Sequence, residues 1–248
     1  AVQALRGSVA GLRVIDTGMA GADGNIQIRG TASITASNEP LIVLDGVPFS
    51  GGKLSDINTN DIESMDVLKD ASSTAIYGSR GANGVIMITT KKGTTSKPRL
   101  NYNGYVGFSD FAHMPKMMGP DRYLQLRKDA EAYMDQPWPF PTLEEENIKA
   151  GRTIDTWDVI KQSAPMTEHE LSVSGKGEQM TYYLSGAYTN QKSALAGDKF
   201  ERLSVRANFD IDITKWLKIG TNSSFAMKDY SGNKADWGIA GWLSPFSS

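Results

Sequence analysis

DINTNDIESMDVLKDASSTAIYGSRGANGVIMITTKK, residues Asp56 to Lys92, is the stretch whose reading decides the fold. Its end, Val85 to Thr90, is apolar and β-branched and reads as a strand. Met65 to Leu68 reads as another. Between them Asp70 is placed to cap a helix over Ala71 to Tyr77, with Gly78 at its C′ position. Asn60 and Glu63 stand at capping-box spacing for a further short helix. Strand, capped helix, glycine hinge and strand follow in quick succession, with no catalytic constellation among them.

Upstream, the same style holds. Val2 to Leu5 suits a helical turn closed by Gly7, and Leu12 to Ile15 and Ile26 to Arg29 suit short strands. Leu41 to Leu44 is a continuous apolar run, as in a strand buried on both faces. Asp45-Gly46 then turns the chain, because glycine accepts positive φ. Residues 1–92 therefore predict a small α+β domain, and the polar stretch 93–98, with Gly93 and Pro98, predicts a linker.

Downstream the period changes to two. Strands are expected at about 99–109, 167–175, 181–190, 201–213 and 216–228. The clearest is Glu201 to Ile213. Leu203, Val205, Ala207, Phe209, Ile211 and Ile213 fall on one side, and Arg202, Ser204, Arg206, Asn208, Asp210 and Asp212 on the other. One such strand also fits a soluble sandwich, apolar-in and polar-out. The set is longer than the usual soluble strand of about 5–6 residues and reaches the 9–11 or so that a tilted membrane strand needs. Connections alternate as well: 110–166 is long, 175–180 short, 190–200 intermediate and 214–215 short. Outer-membrane barrels pair long external loops with short periplasmic turns, so 110–166 is the expected first extracellular loop. Within it, Asp121 to Asp135 has helical spacing, and Thr142 with Glu145 forms a capping box for a helix ending near Gly151. Pro137, Pro139 and Pro141 bracket Trp138 and Phe140 there.

Composition agrees with this reading. The net charge of −2 offers no basic face for nucleic acid. The chain has no cysteine, which excludes disulfides and thiolate metal sites. No apolar run approaches the roughly 18 residues of a membrane helix, and the mean hydropathy of −0.35 does not argue against a barrel, whose strands are half polar. With no initiating Met or signal segment before Ala1, and no stop after the Trp-rich end, both termini are expected to be truncated.

Asp45, Asp61, Glu63, Asp66 and Asp70 invite a hydrolase reading, since glycosidases use paired carboxylates. Structural roles explain them more simply: Asp70 as a cap, Asp45 in a turn, and Asp61 and Glu63 in the first turn of a helix, where the dipole favours acids. His113 and His169 have no accompanying ligand pattern, so no metal or cofactor is expected. Gly78, Gly81 and Gly84 lack the strand, loop and helix order of a phosphate site and read as glycines for turns and close packing. Arg29 and Arg80 are expected to pair with carboxylates. On the 201–213 strand, Arg202, Arg206, Asn208 and Asp210 are the lumen-facing candidates, with the arginines docking the small domain or lining a solute path. Leu203, Val205, Phe209 and Ile211 are the lipid-facing candidates.

Three segments carry a family resemblance: NIQIRGTASITASNEPLIVLDGVPF (Asn25 to Phe49), Asp56 to Lys92 as quoted, and SVRANFDIDITKWLKIGTNSSF (Ser204 to Phe225). They resemble the SusC/RagA family of TonB-linked outer-membrane transporters. The marks are Arg29-Gly30, Asp45-Gly46-Val47-Pro48, Asp70, Tyr77-Gly78 and the Arg80-Gly81 to Gly84 run. The resemblance implies that 1–92 is a plug and that 99–248 begins a transmembrane barrel of roughly 22 strands. It further implies active import of oligosaccharides or peptides, TonB and a SusD-like lipoprotein as partners, and a place in the outer membrane of Bacteroidetes-type cells. The family's TonB box and N-terminal extension would lie before Ala1. A non-transporting surface module, either adhesin or binding protein, is the alternative. By itself the segment is expected to form an open, curved sheet beside the plug.

Overall fold

The computed structural model describes residues 12–15, 19–22, 25–28, 39–50, 52–230, 234–236, 238 and 243–247. The turn expected at Val2 to Leu5, and both Arg29 and Gly30, lie outside the described residues. The chain divides into two compact units. The first joins Ala1–Gly107, Met166–Gln191 and Phe200–Tyr230; the second joins Phe108–Pro165, Lys192–Lys199 and Ser231–Ser248.

In the first unit, β1 (Leu12–Ile15) and β2 (Asn25–Ile28) pair antiparallel. A four-stranded sheet has the order β4 (Val47–Pro48), β3 (Leu41–Leu44), β6 (Val85–Thr90), β5 (Ile62–Leu68). β6 runs parallel to β3 and antiparallel to β5. The apolar β6 is central, and Val85, Ile86 and Ile88 are buried on its two faces. Ile86 and Ile88 pack with Ile28, Leu54 and Ile57 into the core. Asp45 and Gly46 make the β3–β4 turn with φ of 50° and 85°. Positive φ at both positions is the type I′ pattern, which Asp-Gly favours.

Two local expectations fail here. The helix after Asp70 is only α1 (Ala71–Thr74), continued by a 3₁₀ segment over Ala75–Gly81 that breaks at Gly78 (φ 58°, ψ −143°). Asp70 stands at the N-cap, but its side chain makes no capping hydrogen bond. Ser and Thr are weak helix formers, and the Thr74 hydroxyl donates back to the Asp70 carbonyl at 3.2 Å. Nor do Asn60 and Glu63 form a capping box. Asn58 caps a three-residue 3₁₀ turn, Thr59–Asp61, by accepting from Asn60 N at 3.1 Å. Glu63 already belongs to β5, because pairing with β6 extends that strand back to Ile62.

The same unit holds a five-stranded sheet in simple chain order: β7 (Arg99–Ser109), β8 (Ala164–Lys176), β9 (Met180–Lys192), β10 (Lys199–Asp212) and β11 (Lys218–Asp229). β8–β9 and β10–β11 are antiparallel, with Glu170 opposite Ala187 and Arg206 opposite Ser224.

The second unit carries α2 (Pro120–Met134), α3 (Thr142–Ala150) and α4 (Thr156–Ile160). Pro120 begins α2 and left-handed Asp135 ends it; left-handed Gly151 ends α3. Thr142 is the first helical residue of α3, not its cap, because Pro141 occupies the N-cap. α4 was not foreseen in the sequence. It is short, and Asp155 caps it by accepting from Trp157 N at 2.9 Å. Trp157 and Ile160 pack against Met114, Met117, Leu195 and Ala235, so three separate connections share one core. Arg127 is sandwiched between the rings of Trp138 (3.8 Å) and Phe140 (4.5 Å).

Candidate functional site

The site is the seam between the small domain and the inner face of β8, β9 and β10, all within the first unit. Strand alternation builds it. On β10, Arg202, Ser204, Arg206 and Asn208 share one face and are buried, Arg206 to 3% and Asn208 to 2% exposure. On the opposite face Leu203 is 43% and Val205 46% exposed, Ile211 is also exposed, and Phe209 is half-buried. Glu170, Ser172, Ser185 and Thr189 continue the buried polar face across β8 and β9. Leu171, Leu184, Phe225 and Met227 continue the exposed apolar one. A soluble sheet has the reverse polarity.

At the centre lies Asp61. One carboxylate oxygen accepts from the Tyr183 hydroxyl at 2.9 Å and the Ser185 hydroxyl at 2.5 Å. The other faces the Arg206 Nε at 3.4 Å, close enough for ion pairing but without hydrogen-bond alignment. Asp45 stands 4.0 Å from Arg206 Nη1. Its oxygens also accept from the Thr90 N–H and hydroxyl, both at 2.8 Å, so the turn, strand β6 and the wall meet at one carboxylate. Asn208 donates to the Thr90 hydroxyl at 2.9 Å and the Lys91 carbonyl at 3.0 Å.

Around this centre the wall and the small domain alternate partners. Arg202 donates to the Ser55 carbonyl at 2.7 Å and to the Thr189 hydroxyl at 3.3 Å. Asn58 donates to Glu170 Oε2 at 3.2 Å, and Asn60 to Glu168 Oε1 at 2.9 Å. Lys228 pairs with Asp56. Lys92 pairs with Asp210 at 2.8 Å, at a more open edge. Residues 91–98 then cross the ends of the strands as a strap. Lys176 N donates to the Thr95 carbonyl at 2.8 Å, and a Cβ on Gly93 would overlap the Gly175 carbonyl.

Of the residues singled out in the sequence, Arg202, Arg206, Asn208, Asp210 and Asp45 meet in or beside this seam. Gly46 and Pro48 lie in the hairpin beyond Asp45, Gly81 ends the 3₁₀ segment, and Gly84 follows the turn before β6. Tyr77 and Gly78 lie in the 3₁₀ segment, whose Arg80 donates to the Ser50 hydroxyl at 2.8 Å rather than to a carboxylate. Asp61 has a different role from the one expected. Its carboxylate serves the wall, not a helix dipole, because Tyr183, Ser185 and Arg206 outbid a weak end-of-turn interaction. Sequence reasoning missed Asn58, Asn60, Glu168 and Glu170. The signal available was their place on the polar register of β8 and the Asx-rich turn before β5. Chemically the seam binds: each Asp61 oxygen is engaged, and no cluster of three or more metal-ligating side chains occurs among the described residues.

The TonB-dependent receptor plug domain family matches residues 1–85. The chain is 37% identical to TonB-dependent receptor P26 of Formosa agariphila, over 96% of this chain and 24% of that protein. It is 36% identical to TonB-dependent receptor SusC of Bacteroides thetaiotaomicron, over 89% of this chain and 22% of that protein. The chain thus spans about a quarter of the length of these curated relatives. The RagAB peptide importer in its 'open-open' state superposes with a TM-score of 0.79 at 31% identity, over 95% of this chain and 29% of that one. A polar-faced sheet sealed by a small α+β domain, joined to these similarities, places the chain in the SusC/RagA family of TonB-dependent receptors, as a plug domain followed by antiparallel barrel strands.

Proposed function

We propose that the chain is the plug (1–92), linker (93–98) and first barrel strands (from 99) of an outer-membrane active importer of oligosaccharides or peptides. The observation that carries this is the inverted polarity of the sheet. Leu203, Val205, Phe209 and Ile211 face lipid, while Arg202, Arg206 and Asn208 hold the plug from the lumen and Asp210 flanks them. Segment 110–166 is the first extracellular loop. Buried ion pairs and hydrogen bonds seal the wall, so solute passes only when work is done on the plug. TonB is the expected source of that work, and a SusD-like lipoprotein the expected partner for capturing cargo. Peptide cargo draws support from the RagAB neighbour, a peptide importer; oligosaccharide cargo rests on the family resemblance. The seam carboxylates serve docking, which favours a transporter over an enzyme.

Val205→Lys in the whole receptor tests the membrane assignment. A lysine at a lipid-facing midplane costs about 2–4 kcal/mol, so outer-membrane assembly is expected to fall sharply. Undiminished assembly would show that this face does not meet lipid.

A further inference from the structure

The wall carries its own charge partners, and the plug keeps them apart. Glu168 is opposite Thr189 on the neighbouring strand, and Thr189 accepts from Arg202 on the next. Ser193 N donates to the Asp198 carbonyl, and continuing that antiparallel register sets Thr189 opposite Arg202, so Glu168 and Arg202 lie in one row, two strand spacings apart, about 10 Å. Ser172 is opposite Ser185, which shares Asp61 with Arg206. Glu170, two residues along the same face, is thus diagonal to Arg206. Between acids and arginines runs only the small-residue column Ser185, Ala187, Thr189. Both pairs are within the joint reach of a glutamate and an arginine.

With the plug seated, residues 55–61 lie across that column and divide the two sets. Asn58 and Asn60 take the glutamates; the Ser55 carbonyl and Asp61 take the arginines. The satisfaction is incomplete. Glu170 is 1% exposed, and its Oε1 has no hydrogen-bond partner among the described residues; neither does Arg202 Nε nor Arg206 Nε. Neutral amides on the acids are the telling choice, because a lysine or arginine there would bind each glutamate more strongly.

We propose that segment 55–61 is a removable wedge: when it shifts, Arg202 closes on Glu168 and Arg206 on Glu170 across β9, so the wall exchanges plug partners for its own. The exchange lowers the free energy of the displaced state and makes the seam two-state. It rests on the plugged-barrel reading above.

Ala187 is covered at 3% exposure and these residues hold no cysteine, so Ala187→Cys reports on the seam once any cysteine elsewhere in the receptor has been replaced by serine. In outer-membrane vesicles of the whole receptor bearing that substitution, labelling by a membrane-impermeant maleimide is followed over a urea series below barrel unfolding. Glu168→Gln with Glu170→Gln keeps acceptors for Asn58 and Asn60 but removes the exchange partners. Labelling at a given urea concentration is expected to slow about tenfold. Faster labelling would mean that the glutamates only hold the plug in, and unchanged labelling that they do neither; both overturn the exchange. Should the double variant fail to assemble, Glu168→Gln alone is expected to slow labelling by a smaller factor. A receptor absent from the membrane fraction fails on the barrel reading itself, which the Val205→Lys experiment addresses separately.

Discussion

Asp61 joins the turn before β5 to two strands of the wall, β9 and β10. Its partners Tyr183 and Ser185 lie 122 and 124 residues away in sequence, so no local pattern could reveal them. What the sequence did reveal is that Arg206 and Asn208 share a polar face, because strand alternation is a local rule. It could not say which carboxylates that face would meet. Removing one partner of a buried pair costs about 3–5 kcal/mol, because the other charge is left desolvated. Asp61→Ala is therefore expected to loosen the plug by that order, read as faster proteolysis within 54–92 while the barrel stays intact. Asp61→Asn, which still accepts from the two hydroxyls, is expected to lose less. Equal proteolysis of wild type and Asp61→Ala would remove Asp61 from the centre of the seam.

Elements were legible in proportion to their length and periodicity. The amphipathic run of β10 declared both of its faces, and Asp45-Gly46 declared its turn. The piece around Asn60 was misread because a capping signal is weak beside the six β5 residues paired with β6, and the piece after Asp70 because its Ser and Thr residues are poor helix formers. α4 has only five residues and no periodicity to read. Residues 93–98 of the strap looked like a passive linker, since polarity, Gly93 and Pro98 are all that their sequence offers. Their contacts make them a fitted part. Gly93 presses against the Gly175 carbonyl, and backbone on both sides leaves no soft neighbour to yield. Gly93→Ala is expected to cost about 1–3 kcal/mol as overpacking. Gly177→Ala, whose Cβ would meet only the Met180 carbonyl at 3.7 Å, is the matched control and should be near neutral. Melting curves of the two receptors compare them directly, and equal midpoints would refute the tight crossing.

At the scale of the whole molecule, the chain is two bodies, of which the second is built from three connections of the strands. The long 110–166 segment was read as a loop with helices of its own, but nothing local announced that 192–199 and 231–248 would join it. Trp157 is the common anchor: its indole donates to the Pro115 carbonyl at 2.8 Å, and with Ile160 it forms the cluster on which Met114, Met117 and Leu195 pack. Trp157→Ala is expected to cost that unit about 3–5 kcal/mol. Hydrogen exchange should then quicken in 108–165 and 192–199 and leave β5 and β6 unchanged; parallel loss in both bodies would contradict their independence. The strap sets one further limit. Once Asn208 and Asp210 release Lys91 and Lys92, eight residues, 91–98, join the plug to β7. Fully extended, they span at most about 26–29 Å. The plug is thus on a leash fastened at Arg99. On the importer reading, however far the plug's other end is drawn, Thr90 stays within that radius of Arg99, so a displaced plug refolds beside the wall it left.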